Sequence, residues 1–209
     1  MTSMTTHIFF RCAAAAIVIA LSFCTRSAIA EGDADQGEVL GFTCIGCHGI
    51  DGQRNAYPSF RVPKLGGQNS EYLRASLKAY RAGSRPHPTM QAQAGAMSDG
   101  DIDNLVAWLA TFGSVDDGAT AAEVAGVEAA EICVTCHGVQ GQNVQSPPPT
   151  LAGQHADYLV HALNQYKNGV RSGNVMSAFA AGLSDADIDM LADFYSRQDG
   201  LETLEARID

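Results

Sequence analysis

Cys44, Cys47 and His48 stand in the order Cys-x-x-Cys-His, and Cys133, Cys136 and His137 repeat that order further along the chain. Two thiols so spaced face one edge of a planar macrocycle, where they add to porphyrin vinyl groups. The adjacent imidazole is then held beneath the metal. Each pentapeptide therefore reads as the attachment site of one covalent haem c, with Cys44, Cys47, Cys133 and Cys136 as thioether positions and His48 and His137 as axial iron ligands. One Cys-x-x-Cys also suits half a zinc site or a thioredoxin-like redox pair. Two complete copies, each with its histidine, favour haem.

A haem iron with one histidine has a second axial position, and its occupant separates electron carriers from catalysts. An internal repeat nominates that occupant. Pro63-Lys64-Leu65-Gly66-Gly67-Gln68 matches Pro149-Thr150-Leu151-Ala152-Gly153-Gln154, and at the same offset Tyr72, Leu73, Leu77, Tyr80, Gly83 and Arg85 match Tyr158, Leu159, Leu163, Tyr166, Gly169 and Arg171. The haem motifs are three residues further apart than this, so the first copy carries three extra residues in the loop Asp51 to Val62. A period of this length, present twice, means domain duplication.

Met90 and Met176 each precede a helix-capping serine, Ser98 or Ser184, by eight residues, in segments read as irregular. Their matched placement marks them as the sixth ligands. Met97 corresponds to Leu183 and Met190 to Asn104, so those two read as ordinary helix-flanking or packing residues. His87 leaves a bis-histidine alternative open for the first haem, although its counterpart is Gly173. His155 and His161 face Asn69 and Ala75 in the other copy and read as surface or interface residues. Pro63 and Pro149 are placed either to accept the Nδ1–H of His48 and His137 on their carbonyls, which would orient the ligating imidazoles, or simply to make turns.

The elements that must position these residues read as helices. Residues 33–43 and about 118–132 run into the two haem motifs, and Gly37, Gly41, Ala125, Gly126 and Ala130 would let another helix approach closely. Ser70 to Ala82 and about 156–168 pair leucines at i,i+4. Ser98-x-x-Asp101 and Ser184-x-x-Asp187 resemble capping boxes, ahead of Ile102, Leu105, Val106 and Leu109 and of Ile188, Leu191 and Tyr195. No alternating strand pattern competes. The long loops Gly49–Gln68 and Gly138–Gln154 would cover one face and edge of a haem.

Residues 1–30 read as a secretory signal, with a weakly basic start, a short apolar run and Ala28-Ile29-Ala30 at the cleavage positions; retention as an anchor is the alternative. Removing them takes away Cys12 and Cys24 and leaves only the four motif cysteines, so none remains for a disulfide. The formal charge of the 209-residue chain is −10. Losing Arg11 and Arg26 makes it more acidic, which disfavours nucleic acid and favours partners with a basic docking patch.

These features together resemble the diheme cytochrome c4 family: the two Cys-x-x-Cys-His-Gly motifs, the repeated Pro-x-Leu-x-Gly-Gln, the Tyr-Leu helix, the Gly-x-Arg turn, the methionine and the Ser-Asp-x-Asp-Ile stretch. The resemblance implies an all-α fold of two tandem cytochrome c domains in pseudo-twofold arrangement, each wrapped around one covalent haem. Domain 1 is expected at 31–114, a linker at 115–120 and domain 2 at 121–209. It implies axial pairs His48 with Met90 and His137 with Met176, two haem c groups, and a place in the periplasm or on the periplasmic side of the inner membrane. The expected function is single-electron transfer between respiratory redox partners, from a reductase or dehydrogenase donor to an oxidase or reductase acceptor. The alternative is a cytochrome subunit of a periplasmic dehydrogenase or flavocytochrome complex. A diheme peroxidase would need one open haem, and the matched methionines argue against it.

Overall fold

A computed structural model of the chain describes residues 32–113, 128–142 and 148–204. The signal segment 1–30, the linker 115–120 and most of the helix expected at 118–132 lie outside the described residues. Among these residues the only regular elements are helices. They form two sets of four: α1 (Ala34–His48), α2 (Ser70–Arg81), α3 (Pro88–Ala94) and α4 (Asp99–Leu109), then α5 (Glu131–His137), α6 (Ala156–Lys167), α7 (Val175–Ala181) and α8 (Asp185–Ser196). A 3-10 turn, Glu128–Ala130, leads into α5. None of these helices is long and apolar enough to cross a membrane.

Each helix forms for local reasons. Asp33 caps α1 by accepting the amide protons of Asp35 and Gln36 at 3.0 and 3.2 Å, which satisfies donors the first turn cannot pair internally. Ser98 and Ser184 make full capping boxes, each side chain accepting from the backbone of Asp101 or Asp187 while that carboxylate reaches back. The helix α1 runs five residues beyond its expected end and carries the whole first haem motif on its last turns. The methionine segments are also helical, not irregular. Pro88 suits the first position of α3, where no amide proton is needed, and the Asn174 side chain caps α7.

Packing within the first half centres on α1 against α4. Ideal Cβ atoms at Gly37 and Gly41 would collide with the Asn104 carbonyl and the Trp108 side chain, so only glycine allows the two helices to lie this close. Ile102, Leu105, Val106 and Leu109 of α4 are essentially solvent-free and meet Leu73, Leu77 and Tyr80 of α2. The second half repeats the scheme with Leu159 of α6 and Leu191, Ala192 and Tyr195 of α8. In the repeat Ala130 takes the place of Gly41 and Phe194 that of Trp108, and both belong to the second cluster.

The halves are joined by buried polar contacts. The Gln68 side chain donates to the Thr150 carbonyl at 3.0 Å and accepts the Thr150 amide proton at 2.9 Å. Gln154 does the same with Lys64, at 3.0 Å in both directions. Gln68 matches Gln154 and Lys64 matches Thr150 in the repeat, so one bond pair is made twice with the halves exchanged. The first loop, longer by three residues, adds further contacts to the second half. Arg54 and Arg61 pair with Asp157 at 3.0 and 3.1 Å, and Phe60 stacks on His161 with ring centroids 4.0 Å apart.

A last strap comes from the residues after α8. Leu201 donates to the Ala152 carbonyl of the second half at 2.8 Å. Glu202 and Gly66 then exchange two backbone bonds of 3.0 Å, and the Leu204 amide donates to the His48 carbonyl at 3.1 Å. The Leu204 side chain is fully buried in the core of the first half.

Candidate haem-binding site

A cavity of about 430 Å³ runs through both halves, and its lining is mostly apolar. Cys44, Cys47, His48 and Met90 reach it from the first half, and Cys133, His137 and Met176 from the second. Of the eight residues singled out by sequence, only Cys136 does not line it; Cys136 and Cys47 are both exposed. The attachment residues fall together because α1 and α5 present positions i and i+4, Cys44 with His48 and Cys133 with His137, on one face of a helix. Met90 and Met176 stand near the starts of α3 and α7.

The two histidines make matching hydrogen bonds. Nδ1 of His48 lies 2.7 Å from the Pro63 carbonyl oxygen, and Nδ1 of His137 lies 2.8 Å from that of Pro149. A carbonyl can only accept, so the proton sits on Nδ1 and Nε2 keeps its lone pair for a metal. Burial pushes both imidazoles below the usual histidine range, and the proline carbonyls offset this only in part. Each is therefore neutral and ready to ligate. The sequence expectation of an orienting carbonyl at Pro63 and Pro149 matches this geometry.

His87 does other work. It caps α3, with Nδ1 accepting the Met90 amide proton at 3.2 Å. A histidine that accepts on Nδ1 carries its proton on Nε2 and has no lone pair left for iron, which weighs against bis-histidine ligation. Met97 packs against the first core, as a packing residue should, whereas Met190 is exposed on α8 and does not pack in the core. His161 is the interface residue, stacked on Phe60.

All four described cysteines are free. Burial pushes the Cys44 and Cys133 thiols up, which keeps them as S–H, the form that adds across a vinyl group. Among the described residues no group of three or more His, Cys, Asp or Glu could hold a metal ion, so the zinc reading finds no tetrad. The donor set suits haem c: in each half two thiols one helical turn apart, a neutral imidazole with a free Nε2, and a thioether, all around an apolar cavity. Sequence reasoning missed Arg85 and Arg171, which are buried and line the same cavity. The repeat matched them to each other, but a lone arginine in a turn carries no sign of burial.

Comparison with known proteins agrees. Residues 34–113 match the cytochrome c family, and residues 119–194 match subunit III of cbb3-type cytochrome c oxidase. The chain is 34% identical to a thiosulfate dehydrogenase electron acceptor of Stutzerimonas stutzeri (strain A1501), over 77% of this chain and 81% of that relative. It is 32% identical to cytochrome c4 of Azotobacter vinelandii, over 81% of this chain and 91% of the relative. Thiosulfate dehydrogenase (TsdBA) from Marichromatium purpuratum superposes with a TM-score of 0.64 at 28% identity, over 78% of this chain and 40% of that one.

Two helical halves, each with a haem-attachment motif and an apolar cavity wall, define a tandem c-type cytochrome. The chain belongs to the diheme cytochrome c4-type family. It carries covalently bound haem c and is a cytochrome c4-like electron carrier.

Proposed function

We propose that this cytochrome is the electron acceptor of a periplasmic dehydrogenase, which it serves in a complex and relieves of single electrons for a respiratory acceptor. The observation that carries this is the 34% identity to a thiosulfate dehydrogenase electron acceptor across most of both chains. The solved thiosulfate dehydrogenase that superposes on the chain supports the same donor class. A free shuttle between respiratory partners is the second reading, favoured by the likeness to cytochrome c4.

In this reading Cys44 and Cys47 would hold the first haem and Cys133 and Cys136 the second, and His48 with Met90, and His137 with Met176, would ligate their irons. Haem supplies the one-electron Fe(III)/Fe(II) couple. The protein's part is to keep that couple closed to substrates and its surroundings rigid. The Pro63 and Pro149 carbonyls fix the imidazole planes and raise their basicity. Thioether ligands are soft and weakly donating, so they favour Fe(II) and set a higher potential than a second histidine would. The Gln68 and Gln154 bond pairs, which exchange the roles of the halves, support the pseudo-twofold arrangement that would bring two such centres side by side. The acidic surface suits a donor with a basic face, whose docking weakens with salt.

The test is rapid mixing of the oxidised, haem-loaded protein with thiosulfate dehydrogenase and thiosulfate. Both haems should become reduced, at a rate that falls as ionic strength rises. If dithionite reduces the protein but the dehydrogenase with thiosulfate does not, thiosulfate dehydrogenase is not its donor.

A further inference from the structure

The two halves differ at a buried position of the cavity wall. Tyr195 of α8 and Leu109 of α4 occupy the same place in the repeat. They are 3% and 2% exposed, and both line the cavity. The second half therefore carries a phenol where the first carries an aliphatic side chain. The Tyr195 hydroxyl is buried and has no hydrogen-bond partner. Burying a hydroxyl unpaired is unfavourable, and the matched Leu109 fills its place without one.

Beside that hydroxyl lies Cys133. The Tyr195 ring belongs to the second core cluster, and Cys133 packs against it. Burial pushes both the phenol and the thiol up, and each group also acts on the other. The phenol keeps its proton and remains a donor. As a thiol, Cys133 donates to the Ala129 carbonyl at 3.6 Å. Attachment changes that role: the sulfur bonds one vinyl carbon, its hydrogen goes to the other, and a thioether sulfur can only accept. The phenol of Tyr195 then has an acceptor. The first half offers no equivalent, because the Thr43 hydroxyl next to Cys44 already donates to Gln93 Oε1 at 3.3 Å, and Leu109 has nothing to donate.

We propose that Tyr195 is a potential-setting residue of the second haem alone, its phenol donating a hydrogen bond to the Cys133 thioether sulfur. The proposal rests on the two-haem reading. The proposed axial sets are alike in the two halves, each a methionine and a histidine bonded to a proline carbonyl. They supply no difference between the irons. A hydrogen bond to the sulfur draws electron density from the macrocycle and favours Fe(II), and bonding of this kind around a centre is one of a protein's levers on its potential. Tyr195 thus raises the second potential and leaves the first untouched, which makes the second half the better resting place for an electron and biases transfer towards it.

The experiment uses the haem-loaded protein, Tyr195→Phe, which removes only the hydroxyl, and Tyr57→Phe as a control at an exposed tyrosine. Haem content is measured by pyridine haemochrome and both midpoints by spectroelectrochemical titration, each midpoint assigned to its half by NMR of the thioether-bridge protons. Thioether C–S bands are recorded by resonance Raman in H2O and after exchange into D2O. Tyr195→Phe should keep two haems, lower the second-half midpoint and leave the first in place, while Tyr57→Phe should match the wild type. A wild-type C–S band should shift in D2O, and Tyr195→Phe should lose that shift, which a purely packing role for the ring would not produce. Unchanged midpoints, or equal movement of both, in a Tyr195→Phe protein that carries two haems would overturn the proposal. Should that variant fail to load haem, the wild type decides: C–S bands indifferent to D2O would overturn the proposal by themselves. A wild-type protein without two haems would instead refute the reading beneath it.

Discussion

At the scale of single residues, the site rests on where protons sit. The bonds from Nδ1 of His48 and His137 to the Pro63 and Pro149 carbonyls leave both Nε2 atoms free, whereas His87, spent as a helix cap, cannot offer its own. That difference follows from which atoms accept, and it supports the proposal that Met90, rather than His87, is the second iron ligand in the first half. Met90→Ala and Met176→Ala should each remove about half of the methionine-to-iron charge-transfer band of the oxidised protein while leaving both haems attached. A single variant that loses the whole band, or none of it, would contradict one methionine per haem. The pairing of Met90 with Met176 was legible from sequence because the two copies share an offset. Their helical setting was not, since a seven-residue helix with few large apolar positions has almost no periodic signal.

Among the elements, α1 and the strap after α8 show how far a local sequence can be read. Gly37 and Gly41 announced a close helix approach, and α4 lies there; the capping boxes of α4 and α8 formed at the expected serines. The strap had no such signature. Leu204 is one leucine near the chain end, yet its side chain is fully buried in the first half and its amide bonds the carbonyl of His48. Leu204→Ala should therefore destabilise the first half, although it lies beyond the last helix of the second. Loss of a buried leucine side chain costs about 2–5 kcal/mol. Urea unfolding followed at the Soret band should show the loss, together with weaker haem packing at His48. An unchanged transition would mean that the strap adds nothing in solution.

For the whole molecule, what matters is the seam between the halves. It combines the two exchanged glutamine bond pairs, the Asp157 ion pairs, the Phe60–His161 stack and the arginine–tyrosine cluster. His161 makes the seam sensitive to acid. Burial, then Arg171, His87 and Arg85, hold its imidazole down at about 4, against 6.5 for a free histidine. Between these values the unfolded chain binds a proton that the folded chain refuses, so stability falls as pH drops from about 6.5 towards about 4. Thermal unfolding across that window should lose midpoint temperature more steeply in the wild type than in His161→Phe, which keeps an aromatic face for Phe60. Equal slopes would show that another group controls the acid limit.

The order of residues determined the cofactor chemistry and the duplication, because thiol and imidazole spacing and a repeated offset are properties of the chain itself. It also made the helices legible wherever caps and i,i+4 apolar pairs were present. Only the tertiary structure decided how the copies join. The extra residues of the first loop were visible as a length difference, but their use against Asp157 and His161 depends on residues nearly a hundred positions away. Burial of Arg85 and Arg171 beside one cavity depends likewise on both halves closing over them. The Cys-x-x-Cys-His motifs mark where haem is proposed to attach; the fold bonds each imidazole to a proline carbonyl and gathers two cations at the seam.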